Sequence, residues 1–292
     1  MNLRSKPLIT VAAVAAIVIA AAALWQADAS ESIPIGEVSH IHGIAVDPTD
    51  PARLLLATHH GVYRTAPDGT AEQVSDDRSD YMGFTPHPSD PDVFYASGHP
   101  AGGGNLGFIT SKDGGQSWEQ IAQGANGPVD FHAMDVSAAD PNVIYGLYGD
   151  IQISRDGGKT WEVAGAPQAD VFDLGASATN PDIVYAATRD GLMVSGDGAE
   201  TWMPAFDVQQ PATMVQAAPD GTVYAFVVGT GLIRTKEEPG LIWETVSSDF
   251  GNRVLLHLAI DPSEPKRLFA VTQDGAILAS TDGGRNWSGL GA

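Results

Sequence analysis

One eight-residue pattern, Ser-x-Asp-x-Gly-x-x-Trp, is repeated along this chain and constrains its fold more than any other feature. Its copies, the third with alanine in place of the glycine, begin at Ser111, Ser154, Ser195 and Ser280. The tryptophans that end these copies, together with Trp243, are 43, 41, 41 and 44 residues apart. Because one four-stranded β-propeller blade takes about 40–45 residues, this period predicts a ring of repeated small sheets.

Each position of the pattern fits a tight turn between two strands. The Ser and Asp side chains are expected to hydrogen-bond backbone groups around the turn, and glycine supplies a positive φ. The Trp ring is expected to pack beneath the turn. We therefore predict structural and not catalytic roles for Ser111, Asp113, Gly115, Trp118, Ser154, Asp156, Gly158, Trp161, Ser195, Asp197, Trp202, Ser280, Asp282, Gly284 and Trp287, with Ala199 replacing the usual glycine of the third copy.

Two further units carry weaker forms of the pattern, at Thr65–Gly69 and at Thr235–Gly240 before Trp243. Turns containing Asp and Pro separate two apolar runs in most units, as at Asp47–Pro51. Six units of about 43 residues fill the 263 residues that follow position 29. We therefore predict an all-β fold, a single six-bladed β-propeller of four-stranded blades over residues 30–292. Residues 32–37 are expected to pair with an outer strand and so to close the ring.

Residues 1–29 have the features of an export signal. Arg4 and Lys6 form a basic start, an apolar run covers residues 8–25, and residues 27–29 fit a cleavage site between small side chains. The alternative is an uncleaved N-terminal membrane anchor, because 18 apolar residues are at the lower limit for spanning a bilayer. Both interpretations place the propeller outside the cytoplasmic membrane, as a secreted or periplasmic protein.

The composition narrows the range of partners. The formal charge is −21, from 36 acidic and 15 basic side chains. Such a surface repels nucleic acid and anionic lipid and attracts cations, so we expect no nucleic-acid partner. The chain has no cysteine, which excludes disulfides and a lipid-modified cysteine. We expect a monomer that is stabilised by ring closure and blade packing.

Seven of the eight histidines are expected at one end of the central channel. The first strand of each blade lines that channel, and an alignment on the turns after these strands gives one shared register, occupied by His42, Met82, His132, Phe172, Met214 and Leu256. The other histidines of this end lie beside that register or at the ends of second strands: His40, His59, His60, His99 and His257. Only His87 is expected at the opposite face.

This group of side chains predicts a ligand site. Imidazoles with thioethers suit copper, whereas imidazoles with the carboxylates Asp80, Asp130, Asp170 or Asp173 suit zinc or another divalent ion. The candidate metal ligands are His40, His42, His59, His60, His132 and Met82. Alternatively, the histidines line a wet channel or a pocket for an organic ligand, whose candidate contacts are His99, His257 and Arg189. Met82 and Met214 also fit a packing role.

A glycine-rich insertion at Gly98–Asn105 belongs to the same rim. It predicts a lid or a substrate loop over the axis, or a solvated loop without a function. No lysine or helix follows it, so it is not a phosphate-binding loop.

The repeated pattern resembles the Asp-box, or BNR, repeat of β-propellers. With the His40-Ile-His-Gly43 and His59-His-Gly61 segments, it is similar to an exported bacterial family described as glycosyl hydrolase-like. That resemblance implies hydrolase chemistry, which needs two carboxylates facing one sugar. The candidate carboxylates are Asp80, Asp130, Asp135, Asp170 and Asp173. The arginines and the tyrosine–glutamate pair of sialidases are not recognisable.

Two other Asp-box groups resemble the chain less. Photosystem II assembly factors share the repeat and the export, but they have seven blades and a basic patch, and sortilin-type receptors have ten blades. Three functions therefore stay open: a binding protein for a metal ion or small ligand, a glycoside hydrolase acting on a glycan, and a scaffold for another extracytoplasmic protein.

Overall fold

The computed structural model of the protein describes residues 32–38, 40–238 and 240–290. Six antiparallel sheets follow one another along the chain, and the first strand of each packs beside the first strands of its neighbours. Blade six packs against blade one in the same way, so the sheets form a closed ring. The predicted all-β, six-bladed propeller of four-stranded blades is confirmed. The leader expected at residues 1–29 lies outside the described residues.

Each of the first three blades begins at the axis and continues outward, strand by strand. The strands of blade one are Ile41–Val46, Leu54–Thr58, Gly61–Thr65 and Thr70–Gln73. The strands of blade two are Asp80–Pro86, Phe94–His99, Phe108–Ser111 and Glu119–Ala122. The strands of blade three are Ala133–Val136, Ile144–Tyr148, Asp150–Ser154 and Glu162–Val163.

The remaining three blades repeat this order. The strands of blade four are Val171–Ala176, Val184–Thr188, Gly191–Ser195 and Met203–Pro204. The strands of blade five are Ala212–Ala217, Thr222–Val227, Gly231–Lys236 and Glu244–Ser247. The strands of blade six are Leu255–Ile260, Leu268–Thr272, Ile277–Ser280 and Ser288–Gly289.

The start of the described chain covers the outer edge of blade one. Ile33–Pro34 pairs with Thr70–Ala71 and adds a fifth strand to this blade, so the expected pairing with an outer strand is present, but it lies within blade one and does not close the ring. The 3-10 turn Ile35–Glu37 follows, and it is the only helical segment in the described ranges. No helix there has the length and the apolar character needed to cross a bilayer.

Ring closure relies on side-chain packing and not on an exchanged strand, since every blade within the described ranges is built from consecutive strands. At the junction of blades six and one, Ile44 and Leu56 share a buried cluster with Ala259, Phe269 and Val271. Apolar burial of this kind stabilises a fold by roughly 25 cal/mol per Å² removed from water. The two ends of the ring are therefore joined by apolar contacts.

The repeated pattern forms the same hydrogen-bonded turn each time. In blade two, Ser111 Oγ accepts from Gly115 N at 2.9 Å, Asp113 Oδ1 accepts from Ser117 N at 2.9 Å, and Trp118 Nε1 donates to Gly115 O at 3.1 Å. The other three copies make the same contacts, beginning with Ser154 and Asp156, Ser195 and Asp197, and Ser280 and Asp282. Each of these carboxylates accepts hydrogen bonds from its own turn.

A pair of substitutions tests how tightly these turns pack. Gly158→Ala would place a Cβ 2.0 Å from Phe108 Cε1 at a backbone φ of +83°, so we expect a loss of more than about 2 kcal/mol in the free energy of unfolding. The control is Ala199→Gly, at φ +73° in the third copy. This change removes about 1 kcal/mol of strain from a left-handed backbone conformation, and it also removes a buried methyl group whose burial contributes a similar free energy. Little net change in the free energy of unfolding is therefore expected. Urea unfolding measures both, and equal losses would contradict this account.

Candidate metal centre

The central channel contains a cavity of about 430 Å³. All six first strands line it, and its lining includes His42, His132, Asp135, Asp173 and His257. Pockets for small ligands have volumes of about 300–1,000 Å³. The channel is therefore large enough to admit a small ligand between the blades.

A β-bulge in the first strand of blade one frees His42 from the regular ladder. Ile41 pairs with Thr58 and Gly43 pairs with Ala57, which leaves His42 without a position opposite it. Bulges re-aim side chains and are common next to functional sites. Blades four, five and six carry the same irregularity, at Phe172, Thr213 and Leu256.

The register expected for Met214 is wrong by one residue. Thr213 occupies the position of His42 in blade five, and Met214 is fully buried in the apolar core. The alignment failed because the turn after this strand, at residues 218–222, is shorter than the Asp47–Arg53 turn of blade one. Met214 therefore has the packing role that was its alternative.

Three side chains from two blades converge at the mouth of the channel. His42 Nε2 lies 3.2 Å from His59 Nδ1, and His59 Nδ1 lies 2.7 Å from Asp80 Oδ2. His42 Nε2 is also 3.7 Å from Asp80 Oδ1. One ligand atom from each of the three residues lies within 4.8 Å of the other two. Two imidazole nitrogens and a carboxylate at these distances form a set of metal-ligand type.

The electrostatic state of this group suits a cation. Burial lowers the pKa of His42 to about 4 although Asp80 opposes the shift, so its imidazole is neutral at pH 7 and has a lone pair to offer. Asp80 Oδ1 is buried and has no hydrogen-bond partner among the described residues. An unpaired buried carboxylate oxygen is costly, and an ion is one of the few things that relieve the cost.

His40 and His60 flank this group. The His40 ring centroid lies 4.9 Å from that of His59, and the centroid of His60 lies 6.5 Å away. His40 has a φ of +53°, which is an uncommon conformation for any residue other than glycine. Such strain is concentrated at functional sites. Both side chains are exposed, so they border the site on its solvent side.

A second group joins blades two and three. Asp130 Oδ2 lies 2.9 Å from His99 Nε2 and 3.0 Å from His132 Nε2. His99 Nδ1 lies 2.8 Å from Gly104 O in the glycine-rich insertion. The Gly104 carbonyl and Asp130 both raise the pKa of His99. Asp130 therefore contacts both His99 and His132. His132 is not a member of the group formed by His42, His59 and Asp80.

Three predicted residues lie in other arrangements. Burial lowers the pKa of His257 to about 4, and this histidine lines the channel. Met82 pairs regularly with Ser97, so it does not share the bulged geometry of His42. Arg189 forms an exposed ion pair with Asp170 of the same blade, which occupies its guanidinium.

Asp135 is buried and Asp173 is half-buried, and both carboxyl groups lie on the channel wall. Burial is the main cause that raises the pKa of Asp135 to about 7 and that of Asp173 to about 8, and the charge of Asp135 contributes to the second shift. Asp135 Oδ2 accepts from Ala176 N at 2.8 Å, and Asp173 Oδ2 accepts from Val215 N at 3.0 Å. Each carboxyl therefore ties its blade to the next one.

Histidines were expected to combine with Asp80 or Asp130, but which histidine meets which aspartate across a blade junction was not predicted. Asp80, Asp130 and Asp170 occupy one register, two residues before the position of His42, and His40 occupies it in blade one. The equal spacing of these four residues before their turns is the sequence signal that places them in one register. Asp80 and Asp130 contact histidines of the preceding blade, which only the assembled ring shows, whereas His132 and Arg189 belong to the same blades as Asp130 and Asp170.

The comparisons with known proteins agree with the fold. The BNR/Asp-box repeat family matches residues 152–163, which include the copy in blade three. No curated protein matches the sequence. The chain therefore has a match to the BNR/Asp-box repeat in blade three of a six-bladed β-propeller.

Solved propellers of several kinds are similar to this one. A GH74 enzyme from Niastella koreensis is 16% identical with a TM-score of 0.60, matched over 86% of this chain and 45% of its own, so this chain spans less than half its length. The gluconolactonase XC5397 from Xanthomonas campestris is 12% identical with a TM-score of 0.62, over 85% and 89%. YCF48 bound to D1 peptide is 20% identical with a TM-score of 0.54, over 89% and 83%. At these identities the likeness shows the fold alone.

The channel carboxyls generate a prediction about pH. Because the pKa of Asp173 is about 8 in the folded protein and near 4 when unfolded, the folded state binds more protons between these values, and stability falls as pH rises through them. We expect Asp173→Asn to raise the free energy of unfolding by at least about 1 kcal/mol at pH 9 and to change it little at pH 4. Denaturant unfolding at both pH values measures this. The exposed control Asp170→Asn should show no such gain, and an equal loss at both pH values in Asp173→Asn would contradict the argument.

Proposed function

We propose that this protein is an exported β-propeller that binds a divalent transition-metal ion at the mouth of its channel. His42, His59 and Asp80 are the ligands. The observation that carries the proposal is the convergence of their nitrogen and oxygen atoms around a buried carboxylate oxygen that lacks a partner in the described chain. His40 and His60 border the site and complete its histidine-rich surroundings.

The donor set favours zinc over copper. Two imidazoles and one carboxylate are the protein ligands of zinc sites that keep a fourth position open. Copper is favoured where thioethers join imidazoles, and Met214 is fully buried in the apolar core of blades five and six. The strongly acidic surface attracts cations toward the mouth. An open fourth position would accept a donor atom from a small molecule, a glycan or a protein segment.

The proposed location outside the cytoplasmic membrane rests on residues 1–29, whose basic start and apolar run are those of an export signal or an anchor. Export fits a chain without cysteine, which has no thiol to oxidise. We propose a monomer, because ring closure already buries the blade faces that face each other.

A glycoside hydrolase is the second candidate, and one observation favours it. Asp135 and Asp173 line the channel with raised pKa values, so one of them holds a proton at pH 7, as a general acid must. Aryl glycosides test this candidate. Hydrolysis by the wild type that is lost in Asp135→Asn and Asp173→Asn, but kept in Asp170→Asn, would establish it. The metal site is preferred because backbone amides of the next blade already account for both carboxyls.

The metal proposal predicts the loss of one bound ion. The His42→Gln/His59→Gln variant should bind one zinc fewer per chain than the wild type, because it removes both imidazole ligands. Elemental analysis after dialysis against limiting zinc measures the stoichiometry, on protein without a histidine tag. His87→Asn is the matched control, since His87 caps a turn at Ser89 N and Asp90 N at the opposite end of its strand. Unchanged zinc content in the double variant would refute the proposed ligands.

A further inference from the structure

We propose that the mouth of the channel binds a small aromatic monocarboxylate, whose carboxylate occupies the open position of the metal and whose ring packs on Phe172. The inference rests on the proposed function, because His42, His59 and Asp80 hold the ion that receives the carboxylate. It adds the chemical class of the ligand, which the three metal ligands alone do not define.

Phe172 lies across the channel from the metal group. His42 and Phe172 are the bulged residues of the first strands of blades one and four, so they occupy one register. The contacts between first strands place two blades between blades one and four in either direction around the ring. The two residues therefore lie on opposite sides of the axis, and both line the central cavity.

Phe172 is an apolar side chain that the fold leaves uncovered. It is 45% exposed although it lines a cavity. Its neighbours Val171 and Asp173 pair with the next strand, and the bulge leaves Phe172 without a residue opposite it. Four other large apolar side chains of the described chain are comparably or more exposed, and none of them lines this cavity: Tyr148, Val163, Met203 and Ile242. A ligand that covers the Phe172 ring gains the free energy of removing it from water.

The charges around the mouth favour a ligand with a single carboxylate. A divalent ion bound by the Asp80 carboxylate and two neutral imidazoles keeps one net positive charge, which one anionic oxygen donor compensates. His132 lines the same cavity, but it is already paired with Asp130 at 3.0 Å. No lysine or arginine of the described chain lines the cavity, whereas Asp135 and Asp173 lie on its wall. A second anionic group on the ligand would therefore meet carboxyl groups and no cation.

The cavity limits the size and the shape of the ligand. Its volume of about 430 Å³ is near the lower end of the range for small-ligand pockets. Buried apolar side chains form part of its wall, among them Phe84, Met134 and Leu174. Aromatic rings pack against a phenyl ring with a gain beyond the area that they bury. A compact aromatic acid therefore fits this site better than an aliphatic chain or a dianion.

Calorimetric titration with 2-naphthoate tests the inference, on the zinc-loaded full chain at pH 7.5 without a histidine tag. We expect the wild type to bind one naphthoate per chain. Phe172→Ala should weaken the affinity at least about tenfold and leave the zinc content unchanged, because it removes the ring and no metal ligand. Phe172→Tyr keeps an aromatic ring and should bind within about threefold of the wild type.

Control variants and control ligands accompany this titration. Tyr148→Ala removes an aromatic ring that is 44% exposed but does not line the cavity, so the affinity should not change. Naphthalene-2,6-dicarboxylate and the neutral 2-naphthylmethanol should each bind at least about tenfold more weakly than 2-naphthoate. The first adds a charge that no cation compensates, and the second lacks the anionic donor. Thermal unfolding of each variant shows whether it is folded.

The outcomes separate this inference from the proposed function. If the chain holds zinc through His42 and His59 but does not bind 2-naphthoate, the inference is overturned and the metal site stands. The same conclusion follows if 2-naphthoate binds the metal-free chain as tightly as the zinc-loaded chain, or binds Phe172→Ala as tightly as the wild type. If His42→Gln/His59→Gln keeps the zinc content of the wild type, the proposed function falls and this inference falls with it.

Discussion

The packing of each sheet against the next one is the interaction on which this structure depends. The second strands of blades one, four and six are buried along their whole length because neighbouring blades cover both of their faces; these strands are Leu54–Thr58, Val184–Thr188 and Leu268–Thr272. No exchanged strand closes the ring within the described residues. Blades six and one are therefore held together by apolar side-chain contacts. A closed ring in turn fixes the distances between first strands around the axis.

Those distances decide which side chains meet at the mouth. Both histidine groups join residues of adjacent blades, so their geometry is set by contacts between the sheets. Thr85 Oγ1 donates to Met134 O at 2.6 Å, and Phe131 N donates to Ser97 Oγ at 2.6 Å. These buried hydrogen bonds fasten blade two to blade three directly beside His99 and Asp130. Groups supported in this way are held by rigid elements and not by loops alone.

The architecture was predictable from the sequence because tryptophans mark blades two to six at a nearly constant interval and turn residues mark blade one as well. The gathering of histidines was predictable in part, since strand periodicity places His40 and His42 on one face. What failed was local. The register of Met214 was predicted wrongly because the turn that follows its strand is shorter. The indole of Trp243 donates to Ala205 O of the preceding blade at 2.7 Å, whereas the other four tryptophans donate to their own turns. The histidines that contact Asp80, and His99 beside Asp130, belong to the preceding blade, so spacing along the chain does not encode these contacts, whereas His132 is only two residues from Asp130.

Blade four shows where the series of histidine–aspartate contacts stops. Asp170 occupies the register of Asp80 and Asp130, and Arg189 follows the second strand of its blade as His59 does in blade one. A guanidinium has no lone pair to give and stays charged at every physiological pH. By pairing with Asp170, Arg189 neutralises the carboxylate that occupies this register in blade four. The described histidine–aspartate contacts therefore lie on blades one to three, and the equivalent carboxylate of blade four is compensated by a cation that cannot serve as a ligand.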